Sequence, residues 1–552
     1  MGDAFNETGD LLWLRGGEAA DVRTGRLRRA DVEITGGRIA GVYEDGAPVP
    51  GSARVIDLRG RVIVPGYIEP HTHFSIASPA EYAGALLRRG TTTAVVDALP
   101  LMHLAKPERL SDLLLQTARL PMRIRHLIRL HPQAFGDEDR FHLDVVRRLW
   151  RLPVAAAAGE VTRWVDVAQG DPDLRAKIRA AREDGRPVDG HAPGASYDRL
   201  VALARAGITS CHEAITAAEV EDRLRAGLAV MLRHSSIRPD LPELLNAVQA
   251  HPELLDEAML TVDGPTPLFV EDSGYLDLLI GIAMAQGVLP LRAYRMATLN
   301  PARYFGFTDA GEIAPGKRAD LNVLADLTAP TPVMTIAGGR IVAEHGRLLE
   351  PMPPLPLAAD LETLSLPRLP ESVLVDSGHP VPGIRLVNDV ITEVVPPAEV
   401  PDGALHAALV DRHGRWITRA RLLGFADRLG GLATTYSCSF REAVVVGDDA
   451  ADMATALARL AEDGGGVVVV EDGREVFRLP FEHRLYSGRP WAEVVEANRA
   501  FDRLMRARGY RFRDPLFTLL FLSFDSLPWV RLTSRGVWDV RARRVLVPPA
   551  PL

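Results

Sequence analysis

Val62-Ile63-Val64-Pro65-Gly66-Tyr67-Ile68-Glu69-Pro70-His71-Thr72-His73 is an apolar run that ends in two histidines one residue apart. The run predicts a strand. In a strand, residues i and i+2 point to the same side, so both imidazoles reach one cation from the mouth of a barrel or sheet. An HxH pair alone is a weak signal, because histidine also serves as an ordinary hydrogen-bonding residue. Further positions strengthen it: Glu160 after Val154 to Gly159, His191 in Val188-Asp189-Gly190-His191-Ala192-Pro193, His212 in Ile208-Thr209-Ser210-Cys211-His212-Glu213, and Asp263 in Leu260-Thr261-Val262-Asp263-Gly264. Each follows a short apolar or small-residue run and borders a Gly, Pro or polar residue. Together they form the pattern of a metal site built at strand ends.

Around these positions, from Pro65 to Phe307, short apolar strands alternate with helical stretches of about 10–15 residues, the pattern of repeated βα units with parallel strands. Thr91 to Val96 precedes the helical Glu108 to Arg119, and Val188 to His191 precedes Tyr197 to Ala206. A region of about 240 residues suits an eight-fold barrel, whose chemistry gathers at the C-terminal ends of its strands. The fold class expected is α/β: a (β/α)8 TIM-like barrel with a discontinuous β-sandwich domain and a C-terminal α+β domain. Residues 1–64 and 309–352 supply the two halves of the sandwich, 65–308 the barrel, 353–370 a proline-rich linker and 371–552 the last domain. Gly464-Gly465-Gly466 reads as a tight turn before Val467–Val470, since no helix start with Lys-Ser/Thr follows it as a phosphate cradle requires.

The chain has 552 residues, 47% of them hydrophobic and 25% charged, enough for several buried cores. Its net charge of −8 is spread over interspersed Arg and acidic residues, without the basic stripe that marks nucleic-acid or anionic-lipid partners. No apolar stretch reaches the roughly 18 residues that span a bilayer, and Met1 to Asp10 lacks the order of a secretion signal, so a cytoplasmic enzyme is expected. Cys211 and Cys438 are the two cysteines, far apart in sequence, and are expected as free thiols.

Imidazole and carboxylate donors without cysteine suit Zn²⁺, Mn²⁺ or Fe²⁺ better than Mg²⁺ or Ca²⁺ and argue against a closed structural zinc. His71 and His73 would take one cation with Asp263, and His191 and His212 a second, while the two oxygens of Glu160 bridge both. Lysine is represented by Lys106, Lys177 and Lys317, none of which follows a fourth barrel strand, so a carboxylated lysine cannot serve as the bridge. A cation lowers the pKa of its bound water from 15.7 to about 7, which makes hydrolysis by a metal-bound hydroxide the natural reaction class. Asp263 can also take the proton of the attacking water and pass it to the leaving group. Glu213 reads either as a carboxylate serving a substrate nitrogen or as a partner that orients an imidazole. His234, Ser235 and Asp97 are expected against the substrate. His103, His126, His131, His413 and His483 are read as packing or surface residues.

Pro65–His73, Gly159-Glu160-Val161, Asp189–Gly194, His212-Glu213, Met296–Ala302 and Gly311–Leu321 together resemble the amidohydrolase superfamily, and within it the adenine deaminase family. The resemblance continues through Val445-Val446-Gly447-Asp448, Gly464-Gly465-Gly466 and Asp514-Pro515-Leu516, so it covers nearly the whole chain. It implies a homo-oligomeric enzyme with two divalent metals, manganese or iron favoured, that hydrolyses adenine to hypoxanthine and ammonia. The chain departs from the family's pattern at Phe74–Ala77, Asp97–Pro100, Arg233–Ser236, Asp263-Gly264 and Ser437–Arg441, and none of these changes alters the six metal positions.

Two other readings remain open at this stage. One is a hydantoinase- or dihydroorotase-like hydrolase of a cyclic amide, which opens a ring without releasing ammonia. The other is a non-catalytic binding protein that keeps the fold.

Overall fold

The computed structural model describes residues 11–44, 46–136, 138–362, 365, 368–375, 379–482 and 486–552. Met1–Asp10, His483 and part of the 353–370 segment lie outside the described residues.

Eight parallel strands form the centre of the molecule: β1 (Tyr67–Thr72), β2 (Thr91–Asp97), β3 (Arg123–Ile128), β4 (Ala155–Val161), β5 (Val188–Gly190), β6 (Ser210–Cys211), β7 (Ala229–Arg233) and β8 (Met259–Thr261). Each pairs in parallel with the next. A parallel bridge between Thr72 and Asp263 brings the two ends of the sheet together, so the sheet closes into a barrel. Side chains fasten the seam: Thr261 Oγ1 donates to the His71 carbonyl at 2.8 Å, and the Val262 amide donates to Glu69 Oε2 at 3.0 Å.

The strands read as they do because helices cover their outer faces. Thr91-Thr92-Thr93-Ala94-Val95-Val96-Asp97 is buried at every position, the β-branched, unalternating text of a strand covered on both sides. The barrel interior is filled by Val95, Leu127, Ala156, Ala157, Met231 and Met259, with Phe305 packed among them, and so forms a core and not a pore. Gly159 marks the closest approach of two strands. A Cβ there would lie 2.4 Å from the Asp189 carbonyl oxygen, and its φ of +113° is one that L side chains rarely adopt.

The segments flanking the barrel join edge to edge. Val62–Pro65 pairs antiparallel with Leu321–Leu324, which merges both halves into one nine-stranded sheet. The sheet curls until its turns at Gly37 and Gly339 touch, and it encloses Leu14, Val32, Ile34, Ile63, Leu321, Val323 and Ile336. The C-terminal region builds a second nine-stranded sheet, with the helix Ala450–Asp463 packed against it over Met453, Leu457 and Leu460.

This last region is fastened across the barrel mouth. Tyr486–Ser487 pairs in parallel with Ile76–Ala77, just beyond β1. Tyr436 and Ser75 share a hydroxyl hydrogen bond of 3.0 Å, and Arg163 reaches Asp525 at 3.3 Å. Asp514 caps the helix Pro515–Phe521 by accepting from Leu516 and Phe517, and its other oxygen lies 3.3 Å from Thr266 Oγ1 of the loop after β8. Among the described residues no helix is long and apolar enough to cross a membrane.

Candidate metal centre and substrate cavity

The C-terminal ends of the barrel strands bring six sequence-predicted donors together. His71 and His73 arrive at and just past the end of β1, Glu160 on β4, and His191, His212 and Asp263 just beyond β5, β6 and β8. Asp263 Oδ1 lies 3.2 Å from His73 Nε2 and 3.5 Å from His71 Nε2. Glu160 Oε1 lies 2.5 Å from His191 Nδ1 and 3.3 Å from His212 Nε2, while its Oε2 is 3.8 Å from His73 Nε2. One carboxylate therefore faces both halves of the cluster.

The imidazole tautomers follow from what lies behind each ring. His71 Nδ1 is 2.9 Å from Asp189 Oδ2, His212 Nδ1 is 3.5 Å from the same oxygen, and His73 Nδ1 is 3.2 Å from Asp97 Oδ2. With those outward nitrogens facing carboxylates, the inward nitrogens present lone pairs. His71 Nε2 and His73 Nε2 face one another at 3.1 Å, and His212 Nε2 lies 3.4 Å from His191 Nδ1, which itself meets Glu160. Lone pairs so placed repel unless a cation sits among them. The donor set of imidazole and carboxylate without thiolate fits a divalent transition-metal ion.

Two buried arginines, which sequence reasoning missed, hold the carboxylates. Arg129, 1% exposed, donates to Asp97 Oδ2 through Nε (2.9 Å) and Nη2 (2.7 Å), and to Glu160 Oε2 through Nη2 at 2.5 Å. Arg233 donates to Glu213 and, at 2.5 Å, to Asp263 Oδ2. Burial pushes the Glu213 carboxyl up, but Arg233, His191 and Arg238 outweigh it and hold it at about 2. The same contest holds Asp263 and Glu160 well below the usual carboxylate range, with Arg233 dominant for one and Arg129 for the other. All three are anions at neutral pH.

Above the cluster lies a cavity of about 130 Å³. His73, Asp97, Glu160, His191, Glu213 and Asp263 form its floor, together with Arg129 and Arg233. Its roof comes from the C-terminal region: Val390, Thr435 to Cys438, Phe440, Phe481, Tyr486, Phe517, Leu520, Phe521, Phe524 and Leu527. Departures noted in sequence fall on its wall, at Phe74, Ser75, Leu99, Pro100, Ser235, Gly264, Ser437, Cys438 and Phe440.

Of the residues expected to touch substrate, Ser235 lines this cavity. Asp97 lines it too, but its carboxylate is engaged by His73 and Arg129, which makes it a support for the cluster. His234 does not line it, a correction to the sequence reading. Arg233 and Ser235 on either side face the cavity, so the residue between them points away. His103, His126 and His131 are buried in packing, and His413 is exposed. Cys211 and Cys438 are free and buried.

The Amidohydrolase family profile matches residues 62–342, and the Adenine deaminase C-terminal domain profile matches residues 387–544. A Halalkalibacterium halodurans protein provisionally named adenine deaminase is 35% identical over 95% of this chain and 92% of its own. The chain belongs to the adenine deaminase family of amidohydrolases. The proteins named adenine deaminase in Methylobacterium nodulans and Brucella abortus are 33% and 31% identical, covering 98% and 97% of this amidohydrolase and 98% and 94% of their own lengths. As an amidohydrolase the chain is a hydrolase of C–N bonds and a binder of divalent metal.

Proposed function

We propose that this enzyme hydrolyses adenine to hypoxanthine and ammonia, with two divalent cations, manganese or iron ahead of zinc, as resident metals. The observation that carries the reading is the position of the donor cluster beneath a roof supplied by the segment that matches the Adenine deaminase C-terminal domain. Relatives named adenine deaminase that span nearly the whole chain support it.

In this reading His71, His73 and Asp263 would hold one cation and His191 and His212 the other, with Glu160 placed to serve both. When bound, the cations supply charge that brings the pKa of water near 7 and offsets negative charge developing on the ring. Asp263 moves protons. Its carboxylate, set between Arg233 and His73, accepts the proton of the attacking water and returns it to the departing amine. Glu213, held ionised by Arg233 and Arg238, offers its remaining lone pairs to a substrate N–H, and Ser235 offers a hydroxyl. The aromatic roof excludes water and strengthens each of these interactions. In this reading the enzyme acts in purine metabolism in the cytoplasm, and it is a homodimer or larger homo-oligomer, as the family resemblance implies.

Ammonia release from adenine by manganese-loaded protein tests the reading. The wild type is expected to turn adenine over, and Asp263→Asn to be slower by roughly 10²- to 10⁴-fold. Absence of ammonia from adenine, or an undiminished Asp263→Asn variant, would overturn it.

A further inference from the structure

Gln133 stands on the loop that follows β3, four residues beyond Arg129. That loop is anchored to the cluster, because Arg129 Nη1 donates to the Glu160 carbonyl at 2.9 Å. It is held again where His131 Nε2 accepts from the Arg163 amide at 3.5 Å. Gln133 is 5% exposed and lines the same cavity as the metal donors. Among the described residues that line the cavity, Gln133 is the one whose side chain carries a buried oxygen, Oε1, without a hydrogen-bond partner.

Several of the cavity's other polar groups are already paired within the protein. Arg129 serves Asp97 and Glu160, Arg233 serves Glu213 and Asp263, and the Ser75 hydroxyl bonds Tyr436. A buried carbonyl oxygen left without a donor is costly, and a ligand that brings an N–H removes the cost. The cavity's roof is aromatic, with Phe517 and Phe521 stacked at 5.6 Å and Phe524 next to Phe521 at 6.1 Å, which suits a planar ring.

Resting on the deaminase reading, we propose that Gln133 is a specificity-determining residue whose Oε1 accepts a ring N–H of the substrate, so that the enzyme selects bases with an unsubstituted ring nitrogen. A site built around a hydrogen bond rejects analogues that lack the matching group, because the protein's own polar atom is then buried without a partner. N-alkylated or N-glycosylated bases are disfavoured on this account.

The experiment is steady-state ammonia release by the full-length, manganese-loaded enzyme from adenine, 7-methyladenine and 9-methyladenine, the last two having no ring N–H. The wild type is expected to lose roughly 10- to 100-fold or more in kcat/KM on both methylated bases. Gln133→Leu is expected to lose a similar factor on adenine, chiefly through KM, and to lose most of the preference for adenine. Gln133→Glu, which keeps an acceptor, retains that preference. The melting temperature of Gln133→Leu should be unchanged or raised, since an unpartnered buried acceptor is removed; a residue with a merely structural role would instead lower it. Equal turnover of all three bases by the wild type overturns the proposal whatever the variants do. So does a Gln133→Leu enzyme with wild-type kinetics and preference. Failure of the wild type on adenine itself removes the deaminase reading, and this proposal with it.

Discussion

Asp189 Oδ2 lies 2.9 Å from His71 Nδ1, and the same oxygen lies 3.5 Å from His212 Nδ1. One buried carboxylate thus stands behind an imidazole of each half of the donor cluster. It orients both rings and raises their basicity, as a carboxylate behind a metal-binding histidine does. Asp189→Asn is expected to weaken metal affinity by roughly 10- to 100-fold. Competition against a chelator measures this, and unchanged affinity would reduce Asp189 to a packing residue.

Arg129 neutralises Asp97 and Glu160 from a site with almost no access to solvent. Removing one partner of a buried ion pair costs about 3–5 kcal/mol, because the charge left behind has no water to solvate it. Arg129→Met should lower the stability of chelator-treated protein by that order and that of manganese-loaded protein by less, since cations then share the charge of Glu160. Urea unfolding in the two conditions tests this. Equal losses would mean that Arg129 and the metals do not act on the same carboxylate.

His126 gives the fold an acid-sensitive element away from the metal donors. Its Nε2 lies 3.0 Å from Thr117 Oγ1, and burial pushes the imidazole down to about 4, below its ordinary value near 6.5. A depressed histidine favours the fold fully above its unfolded pKa, and that contribution is lost as pH falls from about 6.5 through about 4. The window corresponds to roughly 3 kcal/mol at about 1.4 kcal/mol per unit. The stability difference between wild type and His126→Gln, measured by urea unfolding, should shift by this order between about pH 7 and pH 4. A constant difference would contradict it.

The roof residue Phe524 is 3% exposed and lies 6.1 Å, centroid to centroid, from His191. Phe524→Ala should cost about 3–5 kcal/mol of stability. It should also lower kcat/KM by admitting water above the cluster while leaving bound metal unchanged. Kinetics and metal analysis on the same preparation test both halves, and wild-type kcat/KM would show that this face of the roof does not shield the reaction.

The barrel and its donors were legible because each depends on local text: a short buried run, a turn residue, and a ligand at the strand end. Asp189 carried a readable signal as well, since it precedes His191 by two residues and strand geometry puts both on one side. Arg129 and Arg233 did not, because an arginine after an apolar run looks the same whether it meets water or two buried carboxylates. His234 was misread by one position of strand alternation, with Arg233 and Ser235 taking the inward places. The roof lay beyond sequence reasoning for a different reason: Ile76 and Tyr486 pair across some four hundred residues, and nothing local in either announces the other.

The central claim is that donors from both halves of the barrel hold metal together through Glu160. Metal content per chain after manganese loading and exhaustive dialysis tests it most directly. About two equivalents are expected for the wild type and about one or fewer for Glu160→Gln, since losing the shared carboxylate weakens both positions. A wild-type chain that retains no metal, or a Glu160→Gln chain that retains as much as the wild type, would contradict the account.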